Sequence, residues 1–200
     1  MNILHIDSSP RGERSHSRQL THAFVEELKA TQPNVSVVYR DLGHDPVPPV
    51  DEKWIAAAFS DSATHSPELQ QGIALSNQLV DELLAADIIV IGAPMHNFSI
   101  SSTLKAYIDQ IVRAGRTFNP ATFQGLVTGK KLFVLTARGN GGYGPGEPME
   151  AMNFQEPYLK TVFGYIGITD VTFVNDEKTT ELPHSLETAR YTAHEAALAA

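Results

Sequence analysis

The sequence predicts an open, doubly wound α/β fold: a five-stranded parallel sheet in the order 2-1-3-4-5, with helices on both faces. Three observations carry this prediction. Five short β-type runs alternate with segments of helical periodicity. The third run contains Ile88, Ile89, Val90 and Ile91 without interruption, as a strand covered on both faces requires. No repeat, low-complexity tract or Gly/Ser linker divides the chain. Its 200 residues, 42% hydrophobic and 19% charged, suffice for one substantial core, so residues 1–200 read as a single domain.

Residues 3–7 form the first strand, followed by a Ser- and Arg-bearing loop and a helix with Leu20, Phe24 and Leu28 on one face. Residues 35–39 form the second strand. The stretch 43–65 is long and carries Pro46, Pro48 and Pro49, which suggests a flap or a partner contact. Ser66-Pro67-Glu68 then opens a helix: a capping hydroxyl, a Pro at the first helical position and an acid against the positive dipole end. Its apolar stripe is Leu69, Ile73, Val80 and Leu84. The third strand, 87–93, leads through a loop to a helix that begins near Ser101 and carries Leu104, Ile108 and Ile111. Strand 131–137, a helix with Leu159, Val162, Phe163 and Ile166, strand 171–175 and an Ala-rich helix over 186–200 complete the order. Such βα units give a parallel sheet wound in both directions from the first strand. Ligands then bind beyond the carboxyl ends of the strands, where the winding reverses between strands one and three.

Composition narrows the chemistry. With no cysteine, the chain has no disulfide, thiolate nucleophile or Cys-held metal, so redox chemistry must come from a cofactor. A net charge of −8 argues against nucleic acid, whose affinity rests on Lys/Arg patches. Residues 1–7 have neither a basic leader nor the apolar length of a signal peptide or a membrane span, so a cytoplasmic protein without a membrane partner is expected. The histidines form no HExxH or HxxxH pattern and no GxSxG elbow is present, which leaves no metal or acyl-transfer signature. On this acidic chain Arg11, Arg14 and Arg18 cluster with only Glu13 between them, and they suggest one anion site.

Three loops remain as candidates. The loop after the first strand offers Ser9, Arg11, Ser15, His16 and Ser17 directly before a helix, where unpaired N–H groups and hydroxyls suit a phosphate monoester. The loop after the third strand, Pro94-Met95-His96-Asn97-Phe98, combines an amide, an aromatic and a thioether that could meet a flat heteroaromatic ring. The loop after the fourth strand begins Ala137-Arg138-Gly139-Asn140. Its GxGxxG spacing over 139–144 leads toward Pro145 rather than a helix, so it reads as backbone close to a planar ligand, with Arg138 as a fixed positive charge. Each segment has a plainer reading as a helix cap, a turn or a solvated loop.

With these loops in view, the chain resembles the FMN-dependent NADH:azoreductases of the flavodoxin-like quinone reductase group. The resemblance rests on Ser9 with Ser15-His16-Ser17, on residues 93–98, on Gly125 to Lys131, on Thr136-Ala137-Arg138-Gly139 and on Phe163 to Val171. It implies that Ser9 and Ser15 to Ser17 hold the FMN phosphate, Met95 to Phe98 contact the isoalloxazine, and Ala137 to Asn140 approach its pyrimidine edge. It also implies NADH or NADPH as electron donor, quinone or azo compounds as acceptors in a ping-pong cycle, and a homodimer with Phe59 and Phe163 reaching the partner's flavin. The chain departs from the family pattern at His96, where Tyr is usual, and at His16, where Gln is common. A flavodoxin-like electron carrier and a flavin-free binding module are the alternative readings.

Overall fold

The computed structural model describes residues 1–32, 34–180 and 185–198. Five parallel strands, β1 (Asn2–Asp7), β2 (Ser36–Asp41), β3 (Ile88–Pro94), β4 (Lys131–Ala137) and β5 (Asp170–Asp176), lie in the order β2-β1-β3-β4-β5. Among the described residues six α-helices connect or follow them: α1 (His16–Thr31), α2 (Glu52–Ala58), α3 (Pro67–Ala85), α4 (Ser102–Ile111), α5 (Gln155–Ile166) and α6 (Ser185–Leu198).

Strand alternation builds two apolar layers. Leu4 and Ile6, Ile89 and Ile91, and Leu132 and Val134 share one core with Leu79 and Leu83 of α3, Leu104 and Ile108 of α4, and Leu159, Phe163 and Ile166 of α5. The intervening residues Ile3, Ile88, Val90, Phe133 and Leu135 face Leu20, Phe24 and Leu28 of α1 and Ala197 of α6. This is why the central strands are apolar at consecutive positions. Each fully buried Leu or Phe of α1 contributes about 1.5–3 kcal/mol relative to exposure, so an Asp at Phe24, 4.6 Å from the Phe133 ring, would undo that layer.

The helix starts follow local chemistry. Ser66 accepts the Leu69 N–H with Pro67 at the first helical position, and Ser101 accepts the Leu104 N–H. Two expectations need correction. The second strand runs two residues beyond 39, because Arg40 and Asp41 keep register with Ile6 and Asp7 of β1. The 43–65 stretch is not simply a flap: it contains α2, capped by Asp51 at the Trp54 N–H, and Trp54 and Ala57 pack on Ile73 of α3. Only two turns long, that helix shows too little periodicity to be read among its prolines. Residues 199–200 of the expected last helix lie outside the described residues.

Candidate functional site

The winding reverses between β1 and β3, and hydrogen bonds draw three loops together there. The Ser8 N–H and hydroxyl both donate to the Gly92 carbonyl, at 3.1 and 2.8 Å. The Met95 N–H donates to the Ala137 carbonyl at 2.9 Å. Gln155, fully buried, donates its amide to the Ala93 carbonyl at 3.0 Å and accepts Arg138 Nε at 3.2 Å. Gly92 is required for this closeness: a Cβ there would stand 2.5 Å from Asp7 Oδ1.

In the first loop Ser9, Ser15 and Ser17 are buried, and the Ser15 and Ser17 hydroxyls lie 3.1 Å apart. Ser15 also caps α1 by accepting the Arg18 N–H. The main-chain N–H groups of His16 and Ser17 carry no hydrogen bond to protein among the described residues. Clustered hydroxyls and free amides at the positive end of a 16-residue helix make a cradle for an anion with several oxygens. Arg11 and Arg14 stay exposed beside it. Arg18 does not join them, contrary to the expectation from its spacing. Its Nε and Nη2 donate to the Ser9 carbonyl at 2.9 and 2.7 Å, and the guanidinium pairs with Asp41. Partial burial opposes charge on both partners, yet the pair wins: hydrogen bonds from Arg18 and His44 hold the Asp41 carboxyl well below the usual range, and Asp41 and Asp7 hold Arg18 above its own. Arg18 therefore braces the loop from behind, at Ser9, with its charge already matched. His16 turns toward β5, where its Nδ1 lies 2.7 Å from Asp176 Oδ2.

The second loop turns back within two residues. His96 and Ser99 exchange N–H···O bonds of 2.9 and 3.1 Å, while Asn97 and Phe98 both adopt positive φ, 47° and 73°. Asn tolerates that region, but Phe does so at a cost of order 1–3 kcal/mol, and the result is a Phe98 side chain held 41% exposed at the mouth of the site. The Phe154 N–H donates to the Phe98 carbonyl at 3.1 Å, and the Phe154 side chain is itself 60% exposed. Pro94 and Met95 are half-buried beneath this turn, while His96 and Asn97 are exposed.

The third loop divides in two. Ala137, Gly139 and Asn140 are accessible, and 178–180 brace them: the Thr179 N–H reaches the Arg138 carbonyl at 3.1 Å and the Thr180 hydroxyl reaches the Gly139 carbonyl at 2.9 Å. Beyond them the N–H groups of Gly142, Gly144 and Gly146 donate to Glu177, Glu147 and Glu150, so that half of the glycine run is closed on its own carboxylates. Arg138 corrects the expectation of a fixed charge toward a ligand. Its side chain is 1% exposed, donates to Glu156 at 2.7 Å and Glu177 at 2.9 Å, and lies over the Tyr143 ring. The site receives its backbone, not its charge. Phe163 is a second correction: at 1% exposure it belongs to its own core and cannot serve a partner, whereas Phe59 is 78% exposed.

Asp176, Gln155, Phe154 and Thr180 join the site without any sequence signal, since each lies outside the three candidate loops and only folding brings them in. Among the described residues no cluster of His, Asp and Glu could hold a metal ion, and no helix is long and apolar enough to cross a membrane.

An open parallel sheet whose winding reverses beside clustered serine hydroxyls and an exposed turn defines a doubly wound α/β protein. The chain belongs to the family described as flavodoxin-like fold, which matches residues 1–199. It is 59% identical over 177 residues, 88% of this chain and 86% of the relative, to an FMN-dependent NADH:quinone oxidoreductase of Nostoc punctiforme. It is 52% identical over 198 residues, 98% and 93% of the two chains, to FMN-dependent NADH:quinone oxidoreductase 1 of Trichormus variabilis. Among solved structures it is similar to an FMN-dependent NADH-azoreductase of Bacillus anthracis in complex with FMN, with a TM-score of 0.89 and 27% identity over 100% of this chain and 99% of the other.

Proposed function

We propose that this chain is an FMN-dependent oxidoreductase that uses NADH or NADPH to reduce quinones and azo compounds by two electrons. The observation that carries the proposal is the convergence of the three loops into one site that fits FMN in its parts. Buried hydroxyls of Ser9, Ser15 and Ser17, with the free N–H groups of His16 and Ser17, match the oxygens of a phosphate monoester, and Arg11 adds charge at the rim. The accessible strip of Pro94, Met95, His96, Asn97 and Phe98 suits a flat ring, and in the stretch Ala137, Arg138, Gly139 and Asn140 the main-chain N–H groups of Gly139 and Asn140, without a protein partner among the described residues, would meet its polar edge. Relatives at 59% and 52% identity bear the corresponding activity in their names, with NADH as the donor.

Bound there, the flavin supplies a two-electron carrier, so that NAD(P)H, a proton and a quinone yield NAD(P)⁺ and a hydroquinone. The protein's share is position. The serine cradle would fix one end, the left-handed turn would present Asn97 and Phe98 to the ring, and main-chain donors at 139–140 would meet charge at its edge. No side chain is assigned as acid, base or nucleophile. One shared face implies ping-pong kinetics. We assign the chain to the cytoplasm as a single FMN-binding domain and to a homodimer, with exposed Phe59 available to a second copy. The test is a visible spectrum of the purified protein, mass spectrometry of released cofactor, and NADH oxidation with a soluble quinone. A yellow protein releasing FMN and turning over the quinone is expected; release of FAD, or failure to bind added FMN, refutes the proposal.

A further inference from the structure

We propose that the acceptor site continues past the Phe98 turn into a second-ring subsite between the start of α4 and α5, and that Tyr158 is its specificity-determining residue, selecting uncharged acceptors whose second ring carries an oxygen. The inference rests on the FMN reading above and adds a substrate class to it. The subsite is a cavity of about 370 Å³ lined by Ser99, Ile100, Ser101, Ser102, Lys105 and Tyr158. That volume falls within the range of about 300–1,000 Å³ usual for small-molecule pockets. The cavity begins where the exposed turn ends, since Ser99 closes that turn by exchanging main-chain hydrogen bonds with His96. Consecutive Cα atoms stand about 3.8 Å apart, so a ring fused or linked to one lying beside Asn97 and Phe98 reaches the cavity directly.

The far wall is fixed to the turn. The Phe154 N–H on the Phe98 carbonyl, at 3.1 Å, ties the start of α5 to it, and Tyr158 follows one helical turn later. Ile100 and the Tyr158 ring both pack against the main apolar core, which makes the apolar walls rigid. Several polar groups around the cavity are already matched: the Ser101 hydroxyl accepts the Leu104 N–H, and the Lys105 ammonium pairs with Asp109. Tyr158 is different. It is half-buried, and its hydroxyl has no hydrogen-bond partner in the protein among the described residues. Burial, and then the Asp109 charge, push this phenol up to about 12, so it stays protonated and donates at neutral pH. An O–H donor between apolar walls suits a neutral ring bearing a carbonyl or ether oxygen. A sulfonate or carboxylate there would find Lys105 already neutralised by Asp109.

The experiment measures steady-state reduction of 1,4-benzoquinone, 1,4-naphthoquinone and 6-methoxy-1,4-naphthoquinone by the FMN-loaded protein in the wild type, Tyr158→Phe and Ser102→Trp. Benzoquinone has no second ring and serves as the internal reference. Tyr158→Phe keeps the ring that packs on the core and removes the donor, so kcat/KM for the methoxy compound should fall about fivefold, the scale of one neutral hydrogen bond, with the other two acceptors unaffected. Ser102 is exposed at the first position of α4, and a Trp there would fill the cavity without entering the core. Its KM should rise about tenfold for both naphthoquinones and stay constant for benzoquinone. Each comparison sets two proteins against one acceptor, so differences in acceptor potential cancel. A uniform change across the three acceptors, or no change for any, overturns the proposal; an effect of Ser102→Trp without one of Tyr158→Phe overturns the assignment of Tyr158. Wild-type protein that binds no FMN, or reduces none of the three, refutes the FMN reading itself, which separates the two failures.

Discussion

The loop after β1 buries Ser9, Ser15 and Ser17 at 2% exposure or less, whereas the loop after β3 leaves His96, Asn97 and Phe98 exposed. The first is anchored in the opening turn of a long helix and backed by Arg18 on the Ser9 carbonyl. The second turns through two residues of positive φ, held by the His96–Ser99 pair and the Phe154 N–H. One half is preorganised by burial and satisfied partners; the other stores backbone strain to present side chains outward. Anchoring and ring contact should therefore separate under mutation.

The largest effect is expected where the ring half is supported. Arg138→Met removes the buried guanidinium on which Glu156 and Glu177 converge, and its loss should cost about 3 kcal/mol of stability. A fall in unfolding temperature checks this, and an unchanged value would mean that the carboxylates simply rehydrate. Next, Ser17→Ala should weaken FMN binding about 10- to 100-fold through loss of a hydrogen bond to a charged phosphate, with turnover recovered at saturating FMN. Unaltered flavin affinity would make the first loop only a helix cap.

Asn97→Gly sharpens the contrast from the other side. Glycine accepts φ near 47° without strain, so stability should hold while turnover stays low at saturating FMN; full turnover would remove Asn97 from the ring contact. The smallest effect is electrostatic. The Asp41 carboxyl is held below its ordinary value, so the stability it contributes is complete above about pH 4 and is lost as pH falls through its folded-state value. Wild type should lose more unfolding temperature on acidification than Asp41→Asn, and parallel pH curves would show that the Arg18–Asp41 pair adds nothing.

Much of this was legible in the residues alone. Apolar periodicity of 2 and 3.6 marked all five strands and the longer helices, and the order of the elements dictated a switch point between β1 and β3, hence which loops converge. Serines before a helix and Asn97-Phe98 after a central strand could be singled out as candidates because their place in the chain sets their local backbone geometry. Tertiary structure alone decided the partners of the charges. Arg18 and Arg138 read as free cations in the sequence, yet each is taken up by carboxylates 18 or more residues away: Asp41 for Arg18, Glu156 and Glu177 for Arg138. His16 and Asp176 are separated by 160 residues and meet at 2.7 Å. Hydrophobic pattern repeats along the chain and can be read from it, but an ion pair depends on which strand ends the fold sets side by side, and no local spacing records that.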